Sequence, residues 1–578
     1  MSVRTRRFSF YIALALVITC VAAVQPAPAF DRHASILRFT RAVPHFSRAV
    51  AFDRSPSVRS LRLAPRVSAS SSFVWEVRPE RGPVVKAKTV FRDPVLQQVK
   101  RPTFRTQTTI QSPSLTFEGL RNTDNPFLVV PPDPVGAVGP NHYVEMVNLV
   151  FAVYDKKGNR LTGPTLLGDL WAGFAVPDCT DLSGDPIVLY DKFDDRWILT
   201  QFTTRGPTFF NCVAVSQTSD PTGPYFRYAF SSGNFFPDYP KYGVWNNSYL
   251  LTSRDFGPTT QYGISVYALE KFKMIEGDPN ARMVHFFLDS AVVPISQIGD
   301  GLLPADIDGP NEPADGAPAP IVGTMDNEGP YGAPFDALNI YNLSINWEDQ
   351  NQPTASLNLV TQLPVAEFNS SFPCTDPINP TASQTRSCIP QPGTTHKIDV
   401  LSYRQRPTWR LAYRNVGPYE TMVTNQSVQA FPAVAGVRWY EIRRTHGIYS
   451  LFQQGTFAPN DGVNRWMGSI AMDQQGNMAL GYSVSNATNV FPGIRYTGRL
   501  SGDALGLMTL GEATIIDGSG SQLTRRSRWG DYTSMNVDPI NDCRFWYVNE
   551  YYQITSLANW QTRIGTFTLP GCNGQNQQ

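Results

Sequence analysis

The stretch from Arg528 to Tyr552 is the feature that most constrains how this chain can fold. It begins with polar residues, alternates into apolar ones and turns at residues 538–542, which read Asp-Pro-Ile-Asn-Asp. It then returns through an aromatic run to a polar end. Alternation on both sides of a Pro/Asn/Asp turn is typical of a β-hairpin. An isolated hairpin is marginally stable in water, so the chain must supply more strands to cover its apolar face.

Six other segments resemble this hairpin, with polar residues at both ends and turn residues between them. With the opening stretch included, they run from Asp133 to Asn148, Asp185 to Phe202, Asp238 to Phe256, Pro304 to Asn327, Lys397 to Asn415, Trp466 to Ser485 and Trp529 to Tyr552. Repetition of a small antiparallel unit indicates a propeller, in which each blade holds four short strands. We therefore predict an all-β fold, a single β-propeller of seven blades. Six or eight blades, or a sandwich of two or three β-domains, are the alternatives.

Composition agrees with an all-β chain rich in loops. Aromatic residues make up 12% of the sequence, 43 Gly and 47 Pro supply turns, and long amphipathic helical patterns are nearly absent. Lys and Arg together number 49 against 48 for Asp and Glu. This balance excludes a generally basic nucleic-acid binder.

The first residues predict export. Arg4, Arg6 and Arg7 precede an apolar run from Phe8 to Val24, and residues 27–29 (Ala-Pro-Ala) suit a signal peptidase. We predict a signal peptide over 1–29, and a secreted or periplasmic protein with no membrane span. A lipoprotein acylated at Cys20 is the weaker alternative, because Thr19 is bulkier than the residue usual before such a cysteine.

The composition of the remaining chain changes near residue 125. Residues 30–124 are rich in Arg, Ser, Ala and Pro and predict a flexible or irregular N-terminal extension. The propeller is expected over 125–572, with a short tail at 573–578, and we expect a monomer.

Six cysteines follow the signal peptide, and an even number in an exported chain favours disulfides. Neighbours along the sequence suggest the pairs Cys179–Cys212, Cys374–Cys388 and Cys543–Cys572. Metal binding by these residues is disfavoured, since CxxC is absent and His is scarce.

The hairpin geometry predicts where a functional site lies. Both ends of a hairpin lie at the same edge of its sheet, so the polar ends of all seven segments are expected around one mouth of the central channel. The candidate catalytic residues there are Asp185, Asp238, Asp531, Glu550, Tyr482 and His396. The candidate ligand-binding residues are Arg254, Arg414, Arg465, Arg528, Trp466 and Trp529. Backbone bonding by the repeated Asp residues is the competing interpretation.

Other chemistry has weaker support. Asp178 and Asp181, or Asp306 and Asp308, are candidate Ca²⁺ ligands, with a solvated turn as the alternative for each pair. No other cofactor is required. The GxSxG and HExxH motifs are absent, so acid/base work by carboxylates, as in glycoside hydrolases, is the main enzymatic option. A polysaccharide lyase with His396 or Tyr482 as base is the other.

The repeated hairpins and the mouth of Arg, Tyr and Glu residues resemble the sialidase-type superfamily of β-propellers over 125–572. This resemblance implies that Arg254, Arg414 and either Arg465 or Arg528 hold a substrate carboxylate, with Tyr482 and Glu550 as nucleophile and base. The Ser-x-Asp-x-Gly-x-Thr-Trp box is absent, and so is Phe-Arg-Ile-Pro. The segments Pro131 to His142 and Arg528 to Tyr532 also resemble uncharacterised exported bacterial propeller proteins.

Two functional hypotheses follow. The first is an exported propeller that recognises an extracellular carbohydrate, with or without cleaving it. The second is a non-catalytic scaffold that binds a protein or a cell-surface polymer. The fold alone does not choose between them.

Overall fold

The computed structural model describes residues 42–77, 91–97, 109–257, 263–329, 331–349, 353–371, 387–400 and 405–572. The predicted signal peptide at 1–29, the tail at 573–578 and Cys374 lie outside these residues. Within them, no helix has both the length and the apolar character needed to cross a membrane.

Seven four-stranded antiparallel blades dominate the described residues, preceded by strands β1 (His45–Arg48), β2 (Ala51–Arg54), β3 (Val74–Glu76), β4 (Leu115–Arg121) and β5 (Leu128–Val130). Blade 1 holds β6 (Val135–Val138), β7 (His142–Val147), β8 (Val150–Asp155) and β9 (Arg160–Leu166). Blade 2 holds β10 (Ile187–Asp191), β11 (Arg196–Phe202), β12 (Phe209–Ser216) and β13 (Tyr225–Gly233). Blade 3 holds β14 (Phe236–Val244), β15 (Ser248–Phe256), β16 (Gly263–Glu270) and β17 (Arg282–Leu288).

The remaining blades follow the same plan. Blade 4 holds β18 (Leu303–Asp308), β19 (Ala319–Met325), β20 (Ala337–Asn346) and β21 (Thr354–Pro364), and is followed by a small pair, β22 (Ser387–Ile389) and β23 (Ile398–Asp399). Blade 5 holds β24 (Thr408–Asn415), β25 (Glu420–Phe431), β26 (Val434–Thr445) and β27 (Ile448–Phe457). Blade 6 holds β28 (Asn464–Met472), β29 (Met478–Ser485), β30 (Phe491–Arg499) and β31 (Glu512–Gly518). Blade 7 takes β32 (Ser534–Val537), β33 (Arg544–Tyr551) and β34 (Gln561–Thr568), with β4 as its outer strand.

Helical segments are short. Within the described residues there are two α-helices: α1 (Lys271–Glu276) lies between β16 and β17 of blade 3, and α2 (Ile295–Ile298) lies between blades 3 and 4. Four 3₁₀ turns occupy Val58–Ser60, Asn122–Asp124, Leu167–Trp171 and Pro177–Thr180.

The first strands of the blades form a closed ring. β6, β10, β14, β18, β24, β28 and β32 each contact the next, and β32 returns to contact β6. Blades 4 and 5 go further, because β18 and β24 pair in parallel and join the two blades into one eight-stranded sheet. The prediction of a single seven-bladed all-β propeller is confirmed.

Six of the seven predicted hairpins coincide with the first two strands of a blade. The prediction for Lys397 to Asn415 was wrong. Ile398 and Asp399 pair with β22 in the small sheet, and the first strand of blade 5 begins only at Thr408 and turns after Asn415. A polar residue before an apolar alternation marks both strands, so the pattern did not separate the inserted pair from the blade.

Segments before the first blade complete three sheets. β1 adds to the outer edge of blade 3, β2 adds to blade 2, and β4 closes blade 7 against β34. Main-chain pairing of this kind removes exposed sheet edges, which are sites of aggregation. The chain before residue 125 is therefore part of three blades over residues 45–54 and 115–121.

Two of the predicted disulfides are present. Cys179 bonds Cys212, and Cys543 bonds Cys572. Cys388 is disulfide-bonded as well, while Cys374 is outside the described residues. The second bridge attaches the chain end to the turn of the last blade.

Glu145 links the first blade to the last. It is fully buried on β7, accepts a hydrogen bond from the backbone N–H of Leu120 at 2.9 Å and from the Tyr154 hydroxyl at 3.2 Å, and also contacts the Thr562 hydroxyl. Tyr143 of blade 1 stacks on Trp546 of blade 7 beside it, with ring centroids 5.2 Å apart. Burial raises the pKa of Glu145 from 4.5 to about 7.

This raised pKa has a consequence for stability. The folded state binds the Glu145 proton more tightly than the unfolded state, so the free energy of unfolding falls as pH rises from 4.5 through about 7. Glu145→Gln stays neutral and removes this dependence. We expect the variant to gain about 2 kcal/mol relative to wild type between pH 5 and pH 8. Urea denaturation at both pH values measures it, and parallel pH profiles for the two proteins would contradict the assignment.

Candidate functional site

The central channel has two ends of different character. The first strands begin at one end, called here the opening end, and they finish near the hairpin turns at the other, called the turn end. At each end, charged side chains from several blades meet around the axis. The sequence analysis predicts the site residues at the opening end.

Eight charged side chains form a buried network at the opening end, named here the opening cluster. Its members are Asp133, Asp185, Lys241, Arg254, Arg406, Arg528, Asp531 and Glu550, each less than 9% exposed. Five of the predicted site residues are among them, namely Asp185, Arg254, Arg528, Asp531 and Glu550. For these five residues, the structure therefore shows the expected convergence of strand ends from separate blades at one mouth of the channel.

The carboxylates of the opening cluster are held by backbone and amide groups. The Asp531 N–H donates to Asp133 at 2.7 Å, and the Asn148 side chain donates to the same carboxylate at 2.7 Å. Asn148 in turn accepts from the Asp185 N–H at 2.8 Å. The Gly530 N–H donates to Glu550 at 2.5 Å. These bonds link blades 1, 2 and 7, as the backbone-bonding interpretation of the Asp residues expects.

The cations of the opening cluster are enclosed as well. Arg528 Nη2 lies 2.7 Å from Asp531, and Arg254 Nη2 lies 2.8 Å from Asp300. Lys241 Nζ lies 3.4 Å from the ring centroid of Tyr239 and 3.9 Å from that of Tyr532. Cation–π contact partly replaces the hydration that burial removes.

Electrostatics at the opening end follow from burial. Desolvation raises the pKa of both Asp133 and Glu550 well above the usual carboxyl range, and nearby carboxylates raise them further. Desolvation also lowers the pKa of Lys241 to about 7. The cluster thus carries less charge at neutral pH than its composition suggests.

Backbone strain marks the same end. Asp133, Asp185 and Tyr239 have φ of 49°, 47° and 53°, and each is followed by a proline. Pro134 and Pro186 lead into β6 and β10, whereas Tyr239 and Pro240 lie within β14 where its pairing with β15 shifts register. Left-handed backbone at residues other than Gly is uncommon and persists only where the surroundings hold it. Interblade hydrogen bonds supply that support for both Asp residues.

Two segments cover the opening cluster. Glu76 at the end of β3 lies 3.6 Å from Arg528, and Asp399 of β23 lies 3.7 Å from the same guanidinium. Ile389, Ile398 and other apolar residues of these segments belong to one core with Trp466 and Trp529. The two indole rings are fully buried, with centroids 5.5 Å apart. They face the protein interior and offer no stacking surface to solvent.

The other predicted site residues are not among the eight members of the opening cluster. Tyr482 donates to Glu512 at 2.9 Å, and Arg465 contacts the same carboxylate at 2.8 Å, in a separate network of blade 6. Arg414 pairs with Asp542 at 2.6 Å at the turn end. Asp238 is half-buried on β14, opposite Arg254 in register, and His396 is half-buried before β23.

The candidate Ca²⁺ ligands are engaged by arginines. Arg205 lies 2.6 Å from Asp181 and 3.5 Å from Asp178. Arg410 contacts Asp306 at 3.0 Å and Asp308 at 2.5 Å. One guanidinium therefore contacts both carboxylates of each pair, and the described part of the chain holds no group of three or more His, Cys, Asp or Glu suited to a metal.

A cavity of about 370 Å³ opens at the turn end, named here the turn-side cavity. Residues of five first strands contribute to it, so it lies on the axis of the ring. Its polar lining comprises Tyr190, Lys192, Asp306, Asp308, Arg410, Gln474, Asn536, Asn541 and Asp542. Exposed Pro310, Gln474 and Ile540 form its rim. Burial raises the pKa of Asp306 to about 6.

Sequence reasoning missed this cavity because its residues read as turns. Lys192 lies in the turn between β10 and β11, and residues 538–542 are the turn that defined the opening hairpin. Turn residues have a sufficient local explanation in their own hydrogen bonds. One sequence signal could have indicated the cavity. Polar turns recur between the first two strands of each blade, so they must surround the second mouth of the same channel.

Comparisons with known proteins add little beyond the fold. No protein-family profile and no curated protein matches the chain. Among solved structures, an endo-arabinase of Bacteroides thetaiotaomicron VPI-5482 matches at 12% identity and a TM-score of 0.25, over 54% of this chain and 92% of that one. A Penicillium chrysogenum α-L-arabinanase matches at 8% and 0.25, over 65% and 91%. A subtype N10 neuraminidase-like protein of A/little yellow-shouldered bat/Guatemala/060/2010 matches at 8% and 0.28, over 79% and 98%. Similarity at this level carries no argument about activity.

The opening cluster predicts a large cost for losing one of its cations. Arg528→Ala leaves Asp531, Asp399 and Glu76 without their shared guanidinium inside the protein, and we expect a loss of about 3–5 kcal/mol of unfolding free energy. Arg526→Ala is the matched control. Its side chain is 58% exposed and 3.3 Å from Glu76, so its loss should cost less than about 1 kcal/mol. Urea denaturation measures both, and equal effects would contradict the buried network.

Proposed function

We propose that this chain is an exported β-propeller that recognises an extracellular carbohydrate, and that the ligand lies in the turn-side cavity. The single observation that carries this proposal is the mixed lining of that cavity. Carboxylates, a guanidinium, an ammonium and amides converge on one space at the ring axis. A hydroxyl-rich ligand both donates and accepts hydrogen bonds, so it suits such a mixture better than a purely apolar ligand would.

The size and position of the cavity support this proposal. Its volume of about 370 Å³ is within the range of roughly 300–1,000 Å³ typical of small-molecule sites. Sugar hydroxyls are recognised by planar polar groups, and Asp308 and Asn541 supply carboxylate and amide partners in the cavity wall. Tyr190 contributes an aromatic surface at the wall. The five contributing strands hold these groups on a rigid frame.

The location of the protein is proposed on two grounds. Residues 1–29 have the pattern of a signal peptide. The bridges Cys179–Cys212 and Cys543–Cys572 are of the kind that persists in an oxidising compartment. We therefore propose secretion or a periplasmic location, with a glycan or another cell-surface polymer as partner.

A non-catalytic scaffold is the second candidate function, and the closed opening end favours it. The carboxylates proposed for catalysis there, Asp185, Asp531 and Glu550, are buried beneath β3 and β23. A substrate entering from solvent would first have to displace those segments. Under this second function the chain binds a polymer without cleaving it.

A screen of the purified protein against neutral and acidic polysaccharides tests the proposal, with binding and reducing-sugar release measured in parallel. Binding without release supports recognition alone, and release supports a hydrolase. Binding to none of the glycans would reject carbohydrate recognition.

The cavity assignment predicts the effect of Asp308→Asn. This change weakens a carboxylate acceptor in the cavity wall, and we expect about a tenfold loss of affinity for the glycan that the screen identifies. Isothermal titration calorimetry measures the loss. Asp517→Asn is the control, because Asp517 is 67% exposed on blade 6 and outside the cavity. A ligand that binds both variants as tightly as wild type does not lie in the turn-side cavity.

A further inference from the structure

We infer that the carbohydrate taken by the turn-side cavity carries an anionic group, a carboxylate or a sulfate ester, which pairs with Lys192. This inference rests on the proposed function and adds the ligand's chemical class. It comes from a comparison of the cationic side chains around the cavity. They differ in whether carboxylates and carbonyls of the protein already pair with their N–H donors.

The two guanidinium groups at this end are already occupied. Arg410 is shared by Asp306 and Asp308, with contacts of 3.0 Å and 2.5 Å. Arg414 makes a two-pronged contact with Asp542, at 2.6 Å and 2.7 Å, and donates to the Met472 carbonyl at 2.7 Å. Their donors therefore serve to fix the cavity wall.

Lys192 differs from both. It lines the cavity and is half-buried, yet it has no ion pair or hydrogen bond to its side chain within the described residues. Its ammonium lies 4.8 Å from the ring centroid of Phe193. The two nearest carboxylates along the chain are taken by another cation, because Lys271 lies 3.0 Å from Asp191 and 2.7 Å from Asp194.

An ammonium in this position is poorly compensated. Taking a charge out of water is costly unless a counter-charge replaces the lost hydration. Burial, with repulsion by Arg414 and Arg410, lowers the pKa of Lys192 to about 8, and attraction by Asp308 and Asp542 offsets only part of this. An anionic group on a bound ligand would supply the missing counter-charge. The hydroxyls of a sugar would at the same time meet Asp308 and Asn541 in the same cavity.

The charges that face Lys192 set the expected pH dependence. They are Asp306 and Asp308 on β18, Arg410 and Arg414 on β24, and Asp542 in the turn after β32. Lys192 must be protonated to pair with an anion, so affinity for an acidic ligand should fall as pH rises through about 8. Asp306, whose pKa is about 6, loses its proton as pH rises and adds a competing negative charge. This also lowers the affinity for an acidic ligand as pH rises.

The test compares tetragalacturonic acid, its carboxyl-reduced neutral counterpart, and a sulfated galactan oligosaccharide by calorimetry on the intact protein. We expect wild type to bind at least one of the two acidic ligands about tenfold more tightly than the neutral one at pH 7. Lys192→Gln should bring that ratio close to one. Lys157→Gln is the matched control, since Lys157 is exposed in the turn after β8 and outside the cavity, and it should keep the wild-type ratio.

The outcomes separate the inference from the function on which it rests. Equal affinity of wild type for acidic and neutral ligands overturns the inference and leaves carbohydrate recognition standing. An acidic preference that survives in Lys192→Gln also overturns it. Failure of all three oligosaccharides to bind overturns the inference when the polysaccharide screen has found a neutral ligand, and rejects both the inference and carbohydrate recognition when no glycan of that screen binds. The relative affinity for the uronate and the sulfated ligand identifies which anion is recognised, and equal melting temperatures of the variants exclude a folding defect.

Discussion

Seven first strands meet at one axis, and this convergence is the constraint on which the rest of the structure depends. Each strand brings polar residues to its ends, so closure of the ring forces charges from separate blades into contact. At the opening end the protein resolves this by neutralisation. Asp133, Asp531 and Arg528 are linked by hydrogen bonds and ion pairs, and two segments from elsewhere in the chain cover them. At the turn end the charges stay around an open space, with one cation uncompensated.

This asymmetry divides the two mouths by role. Buried charge networks cost desolvation and become acceptable when every member has a partner, as nearly all of the opening cluster does. Such a network specifies how blades meet. The wall of the turn-side cavity is fixed by internal ion pairs, but Lys192 in that wall has none, and this is where we propose that an outside ligand binds. The two ends of one channel therefore place the same residue types in different surroundings.

The sequence predicted the fold well and the site only in part, for a physical reason. Hairpin turns and alternation are local signals, so six blades were recognisable from their first two strands, as in Asp185 to Phe202. Lys397 to Asn415 failed because an inserted strand pair carries the same local pattern. The meeting of Asp185, Arg254 and Glu550 followed from hairpin geometry. The burial of these residues could not be predicted from the hairpins, because β3 and β23 come from distant parts of the chain. No local sequence pattern indicates where those two strands pack.

The covering strand β4 sets a condition on how the molecule is made. Its partner β34 is separated from it by more than 400 positions, as in the contact between Arg563 and Glu118 with a separation of 445. During synthesis β4 therefore has no partner strand until β34 has emerged. Non-local pairing of this kind makes folding slow. Ring closure is consequently a late event, because it waits for the strand that pairs with β4.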